Sequence, residues 1–372
     1  MTLKGSATAE GTNRYMQKFP DAAKGHFREA RNLTVSSIGI GTYLGSPDAE
    51  TDANYTDAIT KFVESGGNVI DTAANYRFQR SERNIGAALA HLAEKGFTRD
   101  EVVICTKGGY LPFDGEPPTD VRAYFEETFV KTGIAAVEDL VSGSHCMTPA
   151  YLQSQLDQSL RNMNLDAVDV YYIHNPESQL GEIERSAFEA RLAKAFEKLE
   201  ENRTNGKLQF YGAATWNGFR VSPQERGFHS LERMFNIARQ VGGEDHGFRF
   251  IQLPFNLAMP EAYVFPNQQL DGKVVSTLEA AKSLGVTVMC SASILQGKLA
   301  HNLPAQLRGE LGNLSTEGQT GIQFVRSTPN VTTALVGMSR AAHVAENMQL
   351  AKIQPVGADD YGKLFKQRAG EK

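Results

Sequence analysis

Three ionisable side chains end apolar runs in the first half of the chain, and a fourth follows one of them in a loop. "NVIDTAANY" (residues 68–76) stops at Asp71, and Tyr76 follows five positions later. "EVVICTK" ends in Lys107, and "AVDVYYIH" ends in His174. Apolar runs of this length are strands buried on both faces, where an internal Asp is disfavoured. Singly, each has a plain structural reading: Asp71 as a turn former, Tyr76 as packing, Lys107 as a solvated cation, His174 as a core histidine. Delivered to one edge, they form a proton donor. A free phenol titrates near about 10, too weak an acid to help much at neutrality. A lysine ammonium at about 4 Å, in an effective dielectric of about 20, stabilises the phenolate by about 4 kcal/mol. One pKa unit is about 1.4 kcal/mol, so Tyr76 is expected to be acidified by about two or three pKa units. Asp71 would keep Lys107 charged, and His174 would direct the oxygen of the substrate. The set suits protonation of a carbonyl oxygen while hydride reaches its carbon.

The elements that must position these groups follow a strand–helix rhythm from Leu33 onward. "LTVSSIGIGTYLG" is a strand entering a Gly-rich turn, and "DANYTDAITKFVESGG" an amphipathic helix closed by Gly66-Gly67. The strands "NVID", "EVVICTK", "AVDVYYIH", "LQFYGAA", "RFIQLPF", "VTVMCSAS" and "TTALVG" alternate with helices that include "SERNIGAALAHLAEKG", "DGKVVSTLEAAKSLG" and "TGIQFVRST". The eight alternations of nearly uniform apolar strands predict an α/β fold, a (β/α)8 TIM barrel. An open, doubly wound sheet is the alternative arrangement. Residues 1–33 read as an N-terminal extension, loose or laid over the surface with little of the core. Residues 34–372 read as a single barrel domain, with an insertion over 108–147 after the third strand. That insertion, rich in aromatics and carrying His145-Cys146, would cover the mouth and shape a pocket, or pack on the rim as a helical elaboration. Trp216 lines the same pocket or belongs to the core. "GIGTYLG" imitates a dinucleotide fingerprint, but its third glycine falls one position late.

Composition sets outer limits. The chain has 372 residues, 41% hydrophobic and 22% charged, with a net charge of −5. Its pI near 6.0 leaves no basic footprint for nucleic acid or an anionic membrane. No apolar run approaches the roughly 18–20 residues of a membrane span, and the opening residues lack the apolar core of a secretory signal. Three widely spaced cysteines, Cys105, Cys146 and Cys290, suit neither a disulfide framework nor a zinc cluster, and the expected location is the cytoplasm. No spacing of His, Cys and acidic residues supports a metal. The expected partner is a small-molecule carbonyl or alcohol; subunit number has no signature.

"NVIDTAANY", "VVICTKGG" and "VYYIHNPE", in this order, resemble the catalytic segments of the aldo-keto reductases, and "SERNIGAAL" resembles the helix start that follows the tyrosine. The resemblance runs from about Val35 to Leu350. It implies a TIM barrel binding NADP(H), with NAD(H) less favoured. It also implies Tyr76 as general acid, supported by Lys107, Asp71 and His174. Gly41, Thr42 and Gln252 match positions near the nicotinamide, and Asn175, a further expected cofactor contact, directly follows the catalytic histidine at a position that differs among members. Where relatives carry Ser-Asn after strand five, this chain has Ala214-Thr215; where they carry a stacking aromatic after strand seven, it has Cys290. "SASILQGKL", with Ser291, Leu295, Gly297 and Lys298, resembles the loop over the pyrophosphate. "VGMSRAAHVAENM" resembles the adenosine site, through Gly337, Ser339, Arg340, His343, Glu346 and Asn347. Arg340 there would pair with a 2′-phosphate, or stand exposed on a helix end. The resemblance also admits a cofactor-binding regulatory protein on the same barrel. A lyase using Lys107 as a Schiff base is a third possibility, which a neighbouring carboxylate disfavours.

Overall fold

A computed structural model describes residues 2–366; Met1 and residues 367–372, the last part of the expected 34–372 domain, lie outside the described residues. Eight parallel strands close into a barrel: β1 (Ile38–Gly41), β2 (Val69–Asp71), β3 (Val103–Gly108), β4 (Val168–His174), β5 (Leu208–Ala214), β6 (Phe248–Pro254), β7 (Thr287–Ser291) and β8 (Thr333–Gly337). The ring closes where β8 pairs with β1. Helices α1 (Ala49–Glu64), α2 (Arg80–Glu94), α3 (Pro149–Met163), α4 (Arg185–Thr204), α5 (Leu231–Gly242), α6 (Thr277–Ser283), α7 (Glu317–Ser327) and α8 (Ala341–Asn347) follow the strands in turn. Parallel pairing needs long crossovers, which the helices supply while covering the outer face of each strand.

Two apolar layers are distinct. Val69, Val103, Cys105, Val170, Tyr172, Phe250, Met289 and Leu335 fill the barrel interior. Their neighbours Ile70, Ile104, Tyr171, Ile173, Ile251, Val288, Cys290 and Val336 pack outward against the helices. The strands therefore alternate inward and outward with period two although both faces are apolar. Continuing each inward column by two residues reaches the mouth: Val69 leads to Asp71, Cys105 to Lys107, Tyr172 to His174 and Phe250 to Gln252.

Three expectations about the elements are corrected. Residues 1–33 are not a loose extension. Thr8 caps a helix, Ala9–Gln17, and Phe27–Ala30 pairs antiparallel with Leu33–Ser36 through a turn at Arg31-Asn32, both at positive φ. Ala7, Ala30, Leu33 and Val35 join the interior layer from below, and Tyr15 is fully buried, its hydroxyl donating to the carbonyls of Val63 (2.5 Å) and Gly67 (2.9 Å). Asp169 ties this segment down, accepting from the Ala7 amide at 2.6 Å and from Arg99 at 2.8 Å. The single strand expected over "LTVSSIGIG" is accordingly two, the first in that hairpin and the second in the barrel. Finally, the first part of the helix expected over "DGKVVSTLEAAKSLG" is a strand, Lys273–Ser276, hairpinned onto Pro266–Leu270 across Asp271-Gly272. The Asp-Gly pair, both at positive φ, is a strong hairpin signal, and α6 starts only where Ser276 and Glu279 form a capping box.

The insertion after β3 holds its own small core of Leu111, Phe125, Phe129 and Cys146, packed on Tyr151 of α3. Its two ends meet at a bridge between Tyr110 and His145. No helix among the described residues is long and apolar enough to cross a membrane.

If residues before the barrel are integral to the core, Tyr15→Ala should destabilise the protein by about 3 kcal/mol, as large-to-small changes at buried aromatics do. A urea denaturation midpoint unchanged by this substitution would show that the segment is dispensable packing.

Candidate active site

Lys107 lies at the floor of the mouth, 1% exposed. Its Nζ donates to Asp71 Oδ2 at 2.7 Å, to the Thr72 carbonyl at 2.8 Å and to Tyr76 Oη at 3.5 Å. The other oxygen of Asp71 accepts from Gln252 Nε2 at 2.7 Å. Burial opposes the charge on Lys107, but Asp71 and Tyr76 outweigh it, and the pKa of the ammonium is raised. Tyr76 departs from the sequence expectation. Burial of the phenolate is the largest influence and pushes its pKa up; Lys107 pulls it down, Asp71 adds to the rise, and the net is a raised value. The acidification expected from the lysine alone is therefore corrected: in this pit burial of the phenolate outweighs the pull of Lys107, and the charge of Asp71 adds to the rise.

The Tyr76 loop is held in a costly conformation. Arg77, Phe78 and Gln79 all have positive φ (48°, 55° and 69°), at roughly 1–3 kcal/mol for each such residue. Buried Arg77 offsets this by donating to the Ser46 carbonyl, Asn84 Oδ1 and Asp52 Oδ1. Gln79 donates to the Pro112 carbonyl and accepts from Asn162. Sequence reasoning passed over Arg77 and Gln79; nothing in their types signals a left-handed run, because their partners lie on other loops and on helices.

His174 sits edge-on to Tyr76 (centroids 5.7 Å) and to Tyr110 (5.0 Å). Burial first, then Lys107 and His145, hold its pKa well below the usual imidazole value, so the ring is neutral at pH 7. His145, from the insertion, donates from Nε2 to the His174 carbonyl at 2.7 Å, and Gln179 donates to His145 Nδ1 at 2.8 Å. Asn175 takes a left-handed conformation and donates to Tyr110 Oη at 3.2 Å. The insertion thus supports the histidine from behind, a role its aromatic content alone did not reveal.

Above this floor opens a cleft of about 530 Å³. Of the residues singled out from sequence, Gly41, Thr42, Asp71, Tyr76, His174, Asn175, Thr215, Gln252, Ser291, Gly297 and Gly337 line it. Trp216 and Tyr110 do so too, together with Tyr43, Asn75 and Gln296, which sequence reading missed. Cys290 does not line the cleft: it is one residue out of phase with inward-facing Met289 and Ser291, and packs outward in the helical layer. The residues that β7 and its loop send to the cleft include no aromatic. Leu295 and Lys298 also stay off the lining, because left-handed turns at Ala292, Leu295 and Gln296 rotate Ser293, Ile294 and Gln296 inward instead. Ser339, Arg340, His343, Glu346 and Asn347 lie beyond Gly337, outside the cleft. Arg340, His343 and Glu346 are exposed, Asn347 is buried, and Glu346 accepts from Thr316 Oγ1 at 2.7 Å. Arg340 makes no ion pair among the described residues. Thr215 Oγ1 is a buried hydroxyl on the cleft with no partner, the kind of donor that an amide-bearing ligand would satisfy.

A family model described as the aldo/keto reductase family matches residues 37–222. A putative voltage-gated potassium channel subunit beta from Schizosaccharomyces pombe is 23% identical over 340 residues, 85% of either chain. An NADH-specific methylglyoxal reductase from Escherichia coli is 27% identical over 188 residues, 49% of either chain. An aldo/keto reductase from Klebsiella pneumoniae, solved in complex with NADP and acetate, has the same fold: the TM-score is 0.61 at 18% identity, covering 93% of this chain and 95% of that one. The matched segment spans half of the chain and carries β1 to β5 with the Asp71, Tyr76, Lys107 and His174 constellation, so this protein belongs to the aldo/keto reductase family.

Proposed function

We propose that the protein is an NADP(H)-dependent oxidoreductase that reduces an aldehyde or ketone to an alcohol, or runs the reverse reaction, with Tyr76 as general acid and base. The observation that carries this reading is the Tyr76 hydroxyl 3.5 Å from an ammonium that Asp71 holds at 2.7 Å, at the floor of the cleft. Bound NADP(H) would exchange hydride with the substrate carbon. Thr42, Asn175, Thr215 and Gln252 would hold its nicotinamide end, Ser291 and Gly297 the middle, and the Gly337–Asn347 segment its adenosine end.

The residues of the chain handle the proton. A carbonyl oxygen placed between Tyr76 and neutral His174 gains negative charge as its carbon is reduced. His174 donates a hydrogen bond to it without competing for the proton. Tyr76 then gives up its proton to an oxygen of alkoxide character, a far stronger base than phenolate, so a phenol of raised pKa is still acid enough. Lys107 stabilises the phenolate left behind, and Asp71 prevents the lysine from losing its charge in so buried a place. A schiff-base role for Lys107 fits poorly with this pairing, since it needs the neutral amine.

A second reading is a non-catalytic NADP(H)-binding regulator. The likeness to a channel subunit and the lack of an aromatic at the end of β7 favour it. NADPH that binds and is never consumed against a panel of aldehydes and ketones would decide for that reading.

Tyr76→Phe should abolish NADPH oxidation while leaving its dissociation constant within about twofold of wild type, because the ring stays and only the hydroxyl is lost. Retained turnover in this variant would remove Tyr76 from the acid role. The raised pKa of Tyr76 sets the sign of the pH profiles. Carbonyl reduction needs the protonated phenol and should hold up to at least about pH 10, falling only above it; alcohol oxidation needs the phenolate and should rise over the same range. A reduction rate that halves near neutrality would assign the proton to another group. Arg340→Ala should weaken NADPH binding about tenfold and leave NADH binding nearly unchanged, the expectation for a guanidinium paired with a 2′-phosphate. Equal effects on both cofactors, measured by titration, would remove that pairing.

A further inference from the structure

Glu177 stands three residues beyond His174, in the turn Pro176–Gly181 that follows β4. Its Oε1 accepts from three successive backbone amides of the next loop: Trp216 at 2.7 Å, Asn217 at 3.0 Å and Gly218 at 3.4 Å. Consecutive N–H groups converging on one oxygen form an anion-holding concavity, and here the anion is a side chain of the protein itself. The other oxygen, Oε2, is buried without a hydrogen-bond partner. At 3.8 Å from it lies Nε2 of His229, also buried and unpartnered. His229 closes the arrangement from the far side: its backbone amide donates to the Gly218 carbonyl at 2.7 Å, and its ring stacks on Phe188 at 5.2 Å. A Cβ at Gly218 would come within 2.4 Å of the His229 ring, so the loop can pass there only as glycine.

The held loop begins at Thr215 and Trp216, both on the cleft. Trp216 is 41% exposed, and its ring makes no aromatic or cation–π contact among the described residues. An indole so placed takes its position from its backbone, whose amide Glu177 holds at 2.7 Å and whose carbonyl accepts from Arg220 Nη1 at 3.2 Å. We infer that Glu177 is a positioning residue, a clamp that sets the Thr215–Trp216 wall of the cleft relative to His174. Its kinetic consequence rests on the reductase reading above; its effect on the loop does not.

The chain contains a single tryptophan, so indole fluorescence reports this wall alone. In Glu177→Ala the three amides lose their acceptor, and Trp216 should become more accessible to acrylamide and less anisotropic than in wild type, with no cofactor or substrate present. The kcat/KM for NADPH-dependent reduction should fall about ten- to hundredfold, the scale of an approximately 1 Å misplacement of a positioning group. Glu177→Gln keeps an acceptor oxygen for the same amides and should restore both readouts to near wild type. Tyr76→Phe separates the two proposals, since it should stop turnover without moving Trp216. A folded Glu177→Ala protein with unchanged quenching and anisotropy would overturn the clamp, as would Glu177→Gln as disturbed as Glu177→Ala. Should the alanine variant fail to fold, Glu177→Asp, shorter by one methylene with its charge kept, replaces it under the same expectations.

Discussion

The ion pair between Lys107 and Asp71 is the constraint around which the mouth of the barrel is arranged. Two charges taken out of water are costly unless their remaining hydrogen-bonding capacity is filled. Here it is filled from neighbouring elements: Gln252 from β6 serves the second oxygen of Asp71, and the Thr72 carbonyl serves a second proton of Lys107. Tyr76 is the third group that the ammonium reaches; it lines the cleft beside Asp71 and, unlike that carboxylate, carries a proton to give. The lysine is thus fully occupied yet retains one partner that a reacting oxygen can approach. Burial first, and the field of Lys107 after it, keep His174 from gaining charge, so a cation, a neutral imidazole and a neutral phenol share one floor.

Holding that floor falls to loops rather than strands. Arg77 anchors the Tyr76 loop to the loop after β1 and to α1 and α2. His145 braces the backbone of His174 from the insertion, and Glu177 joins the loops after β4 and β5. Each brace is a largely buried polar side chain that hydrogen-bonds the backbone of a neighbouring loop or strand end, Arg77 adding the side chains of Asn84 and Asp52. Such contacts specify geometry more than they add stability, since each also carries a desolvation cost. The N-terminal hairpin does the corresponding work at the opposite end, where it closes the barrel from below.

Much of this was legible in the residues. The eight strands were visible as apolar runs because parallel strands covered by helices must be apolar on both faces. Asp71, Lys107 and His174 stood out because polar groups ending such runs have no packing reason to be there. The interior column was legible too, with hindsight of the period-two rule: Met289 and Ser291 share a phase that Cys290 does not, and Cys290 accordingly faces the helices. Asp271-Gly272 announced a hairpin that helical periodicity in the following residues obscured. The buried N-terminal segment was less accessible, since a polar-looking stretch can still place a Tyr15 or an Ala30 into a core built by distant residues.

The sequence by itself determined the order and number of the barrel strands, the phase of each one's inward face and hence which side chains arrive at the mouth. These follow from local periodicity, which needs no knowledge of partners. Only the tertiary structure decided what those side chains become. Whether Tyr76 is made more or less acidic depends on the balance of burial, Lys107 and Asp71. Whether Leu295 or Gln296 faces the cleft depends on left-handed turns held by their surroundings. Charge and strain are sums over neighbours that the chain brings together from far apart, and no short window of residues contains those sums.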